Sequence, residues 1–371
     1  MQTHAKRGMS FNMQLANTDK VRLEEVFRLG VLRDGIQLTV TDIKFPIFGQ
    51  VIPRIEIVIT GPDFLKKVTV RINQESGFMF NGETLEAWIN DKHEQVACSQ
   101  FIDPERAPTG MYNFGTLREN GIRSFVFDYH TYCAYSCDFC FKENEWEVLA
   151  IQGGGSTNYK ANYDQCLNYV YSHAEDFRNK YDIVWLCTGS ITSEKTELER
   201  HCKIAKALRQ VGYKEGIYVS QVVPPGIKDD RQKRLDYLHL LKEAGISRFN
   251  SGVEIVNSEY RKQYIHGFKS TYTFDDYVNI FEDAVSVFGR QGVGSCLLAG
   301  IEPSRETLFG LDTIAALSVV PSPTVLTPFV MKQMAIPFVY DLDELINVHV
   351  RFYEIIRKYN LPVFSGVFSL A

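Results

Sequence analysis

The chain has no surplus of basic residues: 40 lysines and arginines stand against 45 aspartates and glutamates, a formal net charge of −5. That balance gives no broad cationic surface for nucleic acid and disfavours polyanion binding, although it leaves room for a local basic pocket. Long apolar runs are also missing. No stretch approaches the roughly 18 uninterrupted apolar residues of a membrane-spanning helix. The opening string MQTHAKRGMSFN lacks the apolar core of a secretory leader. The expectation is a cytoplasmic protein that binds neither membrane nor nucleic acid. Internal repeats are absent, as is low complexity apart from Gly153-Gly154-Gly155-Ser156-Thr157. That run could bring backbone amides close to an anion or the substrate, or simply form a flexible connection.

What is present begins with core material. The 371 residues are 45% hydrophobic and 13% aromatic, enough for one large α/β domain with a smaller companion and too much for disorder. Eight cysteines in such a chain fit a reducing compartment, where thiols serve clusters, metals or cores. Three of them, Cys133, Cys137 and Cys140, fall within eight residues, in His130-Thr-Tyr-Cys133-Ala-Tyr-Ser-Cys137-Asp-Phe-Cys140-Phe. Three thiolates from one loop suit a cubane iron-sulfur cluster, because the fourth iron is then left open to a small molecule. Structural zinc sites usually pair CxxC or Cys/His knuckles and take four protein ligands. Here no second CxxC follows, so a zinc site would have to recruit His130 or Cys166.

The CxxxCxxC spacing, with Phe139 before the last cysteine, resembles the cluster loop of the radical S-adenosylmethionine superfamily. The resemblance implies two cofactors, a 4Fe-4S cluster and S-adenosylmethionine. It also implies an electron donor such as flavodoxin or ferredoxin, and a 5′-deoxyadenosyl radical that takes hydrogen from a substrate.

Organisation along the chain agrees with that family. From about residue 124, short β-branched and aromatic runs alternate with helical patterns, the mark of βα units on a parallel sheet. Strands are expected at 124–132, 183–188, 216–223, 248–255, 292–301 and 324–330. Helices are expected at 163–180, 194–211, 228–244, 275–288, 304–319 and 341–359. The six units give an α/β expectation, and the resemblance implies that they form a partial (β/α)6 TIM-type barrel, with the cysteine loop at the carboxyl end of its first strand, where barrels keep their reactive groups. The chain before it reads differently. A helical start at 19–32 leads to alternating segments such as 36–40, 54–59 and 67–72, which suggest a β-rich domain. Pro104, Pro108, Gly110 and Gly115 mark a linker, so we expect an accessory domain at 1–118 and the barrel at 119–371.

The same resemblance nominates cofactor residues, in its biotin synthase-like branch. The second strand ends Leu186-Cys187-Thr188-Gly189-Ser190. Thr188, Gly189 and Ser190 correspond to a glycine motif that contacts the amino group of S-adenosylmethionine, although the usual acid and proline are missing. Phe249-Asn250-Ser251-Gly252-Val253-Glu254 matches the segment whose acid binds the ribose. A carboxylate accepts two hydrogen bonds from a vicinal diol, which gives Glu254 that role. Leu298 and Gly300 lie on the glycine-rich strand expected beside adenine. Arg261, Lys269 and Tyr272 fall where a basic residue meets the cofactor carboxylate, and Arg261 is taken as the candidate. Ser220, with Gln221, ends the third strand facing the cavity.

No catalytic residue is assigned. Lacking a local second cysteine motif, the chain reads as a lyase, mutase or transferase type of radical enzyme that abstracts hydrogen from a small, amino-acid-like metabolite. Two alternatives stand beside it. One is a radical maturase holding a peptide through the N-terminal domain; the other is sulfur insertion from a second, barrel-held cluster that would involve Cys187 and Cys296.

Overall fold

The computed structural model describes residues 12–43, 54–101, 111–112, 123–127, 129, 133–140, 163–327 and 335–363. Pro104, Pro108, Gly110 and Gly115 of the expected linker, the Gly153 run and His130 lie outside the described residues. Two sheets organise the chain.

The first sheet comprises β1 (Asn12–Met13), β2 (Gln37–Leu38), β3 (Arg54–Gly61), β4 (Phe64–Arg71), β5 (Met79–Phe80), β6 (Thr84–Ile89) and β7 (Lys92–Gln100). Its strand order is β2-β5-β6-β7-β3-β4, with β1 added beside β6. Helix α1 (Leu23–Asp34) covers it, burying Val26, Phe27, Leu29 and Val31. Glu24 and Glu25 in the first turn and Arg33 in the last complement the helix dipole.

In the second sheet, β8 (Met111–Tyr112) pairs antiparallel with β9 (Ser124–Phe127). Parallel strands β10 (Ile183–Cys187), β11 (Gly216–Ser220), β12 (Arg248–Asn250), β13 (Val293–Ala299) and β14 (Val320–Val325) follow in sequence order. Between them run α2 (Tyr163–Ser172), α3 (Ala174–Asn179), α4 (Glu194–Gln210), α5 (Arg231–Glu243), α6 (Ser258–Tyr264), α7 (Phe274–Phe288) and α8 (Ser304–Ala316), and α9 (Leu342–Lys358) closes the order. Alternate strand residues separate two environments. Phe125, Phe127, Val184, Leu186, Ile217, Val219 and Phe249 join the core beneath the helices. Val126, Ile183, Trp185, Cys187 and Val320 gather on the other face with Tyr218. In a flat sheet β9 and β14 would stand about 24 Å apart. Their sharing of one apolar cluster shows that the sheet curls into a partial barrel.

Among the differences from expectation, three have a visible physical reason. The sixth strand begins at Val320 and takes in Pro321 and Pro323, residues that a sequence reading excludes from strands. Here β14 is an edge strand, and its prolines alternate with the residues that bond β13, so no ladder donor is missed. The helix expected over 163–180 breaks at His173, where the Ser172 hydroxyl bonds the Asn168 and Tyr169 carbonyls. The fourth strand ends at Asn250, because the chain turns sharply around Glu254.

A second core joins α1 and the first sheet to Leu342, Leu345, Ile346 and Val348 of α9 and to Ala299 and Val325 on β13 and β14. Among the described residues no helix is long and apolar enough to cross a membrane.

Candidate metal centre and its surroundings

Residues 133–140 form an irregular loop held by backbone bonds on two sides. The Ala134 N–H donates to the Ser190 carbonyl at 2.8 Å, and the Asp138 N–H to the Tyr264 carbonyl at 2.9 Å. The His266 N–H donates to the Ser136 carbonyl at 2.5 Å, and within the loop the Cys140 N–H reaches the Cys137 carbonyl at 3.0 Å. Cys137 also bridges Ile265, and the His266 ring meets Asp138 at 3.1 Å. Behind the loop runs a 3₁₀ turn, Gly267–Thr271, that starts with a left-handed glycine. Gly267 has φ of 58°, and a Cβ there would lie 2.9 Å from the Ala134 carbonyl oxygen. Only glycine lets the two backbones approach this closely.

The cysteines face different surroundings. Cys133 packs at the edge of the helix-side core. Cys137 and Cys140 join an apolar group with Phe139, Ile255, Leu298, Ile301 and Ile336. Burial pushes the Cys137 thiol well up. Lys269 opposes that rise, while Glu254 and the Cys140 and Cys133 thiols add to it. Three thiolates within electrostatic reach of one another in a partly dry site need positive charge beside them, and a metal cluster provides it. The donor set therefore fits. Among the described residues no group of three or more His, Cys, Asp and Glu side chains is gathered to hold one metal ion. A cubane does not require that, since it gives each thiolate its own iron.

Glu254 and Lys269 form a close ion pair at the same place, with the lysine side chain 5% and the glutamate 18% exposed. Burial works against the ammonium, yet Glu254 foremost, with Tyr277 and Cys137, holds its pKa above the ordinary lysine value. The pair thus presents one fixed cation and one fixed anion next to the thiols, a match for a zwitterionic ligand bearing a diol.

The remaining candidates divide. Leu298 touches the loop's apolar group and donates its N–H to the Glu254 carbonyl at 2.7 Å. Ser190 ties the loop to the barrel, its hydroxyl accepting from the Val222 N–H at 3.4 Å. Thr188 is buried and donates to the Gly189 carbonyl at 2.9 Å. Ser220 stands in register with Cys187 and Asn250. Arg261 is buried and spends its guanidinium on three carbonyls, those of Val253, Ile255 and Tyr272. The space beside Gly300 is filled by the Phe338 ring, 2.3 Å from where a Cβ would sit. Gln221 turns toward α5, where its amide donates to Tyr237 at 2.8 Å.

Sequence reading missed Gly267 and Phe338, and it missed Glu302. The Glu302 carboxylate is fully buried and accepts from the Val256 and Asn257 N–H groups and the Thr307 hydroxyl. It ties the segment after Glu254 to α8. Glu302 sits directly after the glycine-rich strand, but its two backbone partners lie about 45 residues upstream, beyond the reach of local pattern.

Residues 129–307 match the model of the Radical SAM superfamily. No curated protein matches the chain. Solved structures similar to it include the FeFe-hydrogenase maturase HydG from Carboxydothermus hydrogenoformans, at 18% identity over 64% of this chain and 52% of that one, with a TM-score of 0.45. Methylornithine synthase (PylB) is similar at 15% identity, over 62% of each chain, with a TM-score of 0.46. Coproporphyrinogen III oxidase (HemN) from Escherichia coli, a radical SAM enzyme, matches at 13% identity over 63% of this chain and 51% of that one, with a TM-score of 0.44. The chain thus spans between half and two thirds of the length of these relatives.

Proposed function

The chain belongs to the radical SAM superfamily through residues 129–307, and from that premise we propose that it abstracts hydrogen from a small, amino-acid-like metabolite, which then fragments or rearranges. The superfamily's cofactors are a 4Fe-4S cluster and S-adenosylmethionine. When bound they supply reductive cleavage of a sulfonium and, from it, a carbon radical that takes a hydrogen atom. Cys133, Cys137 and Cys140 would hold the cluster. Glu254 would accept the ribose hydroxyls, Lys269 would face the cofactor carboxylate, and Thr188, Gly189 and Ser190 would offer backbone groups to its amine. Leu298 would pack against the base. Phe139, Leu298, Ile301 and Ile336 would keep water from the reacting atoms, which protects a radical from competing hydrogen donors.

One observation carries this reading: the cysteine loop is fastened at Tyr264 and His266 to the segment that presents Lys269, and Lys269 pairs with Glu254. Anaerobic reconstitution should give about four irons and four sulfides per chain, and reduction with S-adenosylmethionine present should release 5′-deoxyadenosine or methionine. Zinc in place of iron, or a reconstituted cluster that leaves the cofactor intact, would remove the proposal.

The accessory role of residues 1–118, the small-molecule substrate and the flavodoxin or ferredoxin donor belong to the same proposal. A second reading has one observation in its favour. Cys187 and Cys296 both point into the barrel and lie within electrostatic reach of each other, as a second, sulfur-donating cluster would want. Under the main reading, a Cys187→Ser/Cys296→Ser double variant retains the wild-type iron content; a fall toward half supports the second cluster.

A further inference from the structure

Glu254 occupies a backbone conformation that side-chain-bearing residues seldom take. Its φ is 65°, and the Ile255 N–H donates back to the Val253 carbonyl at 2.8 Å, closing a three-residue γ-turn around it. A γ-turn with positive φ is rare and strained, and it persists only where neighbours enforce it. The enforcing contacts are visible. The Glu254 N–H donates to the Cys296 carbonyl at 2.9 Å, and its own carbonyl accepts from Leu298. The two carbonyls that flank the turn, Val253 and Ile255, both accept from Nη1 of Arg261, at 2.9 and 2.7 Å. Arg261 is in turn fixed by the Tyr272 carbonyl at 3.1 Å and by the Tyr277 ring, 5.3 Å from its guanidinium carbon.

We infer that Arg261 is a positioning residue that acts on the cofactor through Glu254. It clamps both peptide groups beside the γ-turn, so that the carboxylate emerges toward Lys269 and the cysteine loop rather than along an extended strand. Without the clamp the turn relaxes and the carboxylate leaves its place. The inference rests on the reading of Glu254 as the ribose-binding acid. It gives Arg261 a different task from direct contact with the cofactor carboxylate, although Nη2 has no hydrogen-bond partner among the described residues.

A double-mutant cycle on the anaerobically reconstituted full chain separates these possibilities. The readouts are the S-adenosylmethionine dissociation constant and the change that the cofactor produces in the reduced cluster's electron paramagnetic resonance spectrum. Glu254→Gln should weaken binding about ten- to hundredfold, the factor carried by a charge-assisted hydrogen bond. Arg261→Lys, which cannot hold both carbonyls and Tyr272 together, should weaken it comparably. The Arg261→Lys/Glu254→Gln pair should bind no worse than Glu254→Gln alone; multiplied losses would mean that Arg261 contacts the cofactor independently and would overturn the inference. Thermal unfolding supplies a second arm. Glycine takes positive φ without strain, so Glu254→Gly should restore the melting temperature lost by Arg261→Ala while leaving binding weak. Absence of that recovery overturns the clamp. Unchanged binding in Glu254→Gln would instead overturn the ribose reading, and the thermal arm would still judge the clamp.

Discussion

Toward the amino ends of the barrel strands, Trp185 and Tyr218 meet edge to face at 5.0 Å and pack with Val126, Ile183 and Val320 in regular register. Beyond the carboxyl ends the chain takes positive φ at Glu254, Gly267 and Gly300, holds a buried ion pair, and carries a loop fixed by backbone bonds as well as by side-chain packing. One end contributes stability through burial of large side chains. The other holds polar and reactive groups in conformations that burial alone would not select. Substitutions at the two ends should accordingly fail in different ways.

The sharpest contrast is total loss of chemistry with the fold retained. Cys137→Ala leaves two thiolates on the loop, and the reconstituted protein should lose its iron and all cofactor cleavage, while circular dichroism stays near wild type. A variant that still carries a full cluster would break the comparison. Trp185→Ala at the other end should do the reverse, costing about 3–5 kcal/mol in denaturant unfolding while the folded fraction keeps its iron and binds S-adenosylmethionine normally. Between these cases lies the core shared by α1 and α9. There burial pulls His349 down to about 4, with Arg28 adding to the effect and Glu25 opposing it. Glu25 itself is held at about 2: burial raises it, but the Arg28 pair more than offsets that. The unfolded chain binds a proton at His349 near pH 6.5 and the folded chain only near 4, so stability is full above 6.5 and falls as pH drops toward 4. The loss is on the order of 3 kcal/mol, and below 4 Glu25 extends it. His349→Leu should flatten the slope of melting temperature between pH 6.5 and 4; an unchanged slope would assign it to other groups. The smallest effect is expected at the loop's backbone contact. Gly267→Val forces a β-branched side chain into positive φ against the Ala134 carbonyl, costing about 1–3 kcal/mol and lowering iron retention in proportion.

Much of the architecture was legible because its signals are local. Ser193, Asp230 and Asp341 cap α4, α5 and α9, and Thr273 with Asp276 forms a capping box on α7, so these helices start within a few residues of expectation. The cysteine motif is also local, eight residues read at a glance. What escaped depends on distant partners. Pro321 and Pro323 look incompatible with a strand until β14 is known to be an edge. Lys269 looks like one of several basic residues until it is found on Glu254, 15 positions away. Arg261 was expected to face the cofactor, and its three carbonyl partners come from the turn that no propensity scale anticipates.

The apolar seam that brings Leu345, Ile346 and Val348 of α9 under the first sheet ties the two ends of the chain into one cooperative unit. A ribosome must finish residues near 350 before the strands made first have their full cover, and a truncation before β8 would leave α9 with a bare, greasy flank. Melting curves should therefore show one transition, and shortened versions of this protein should aggregate rather than report on what the missing portion does.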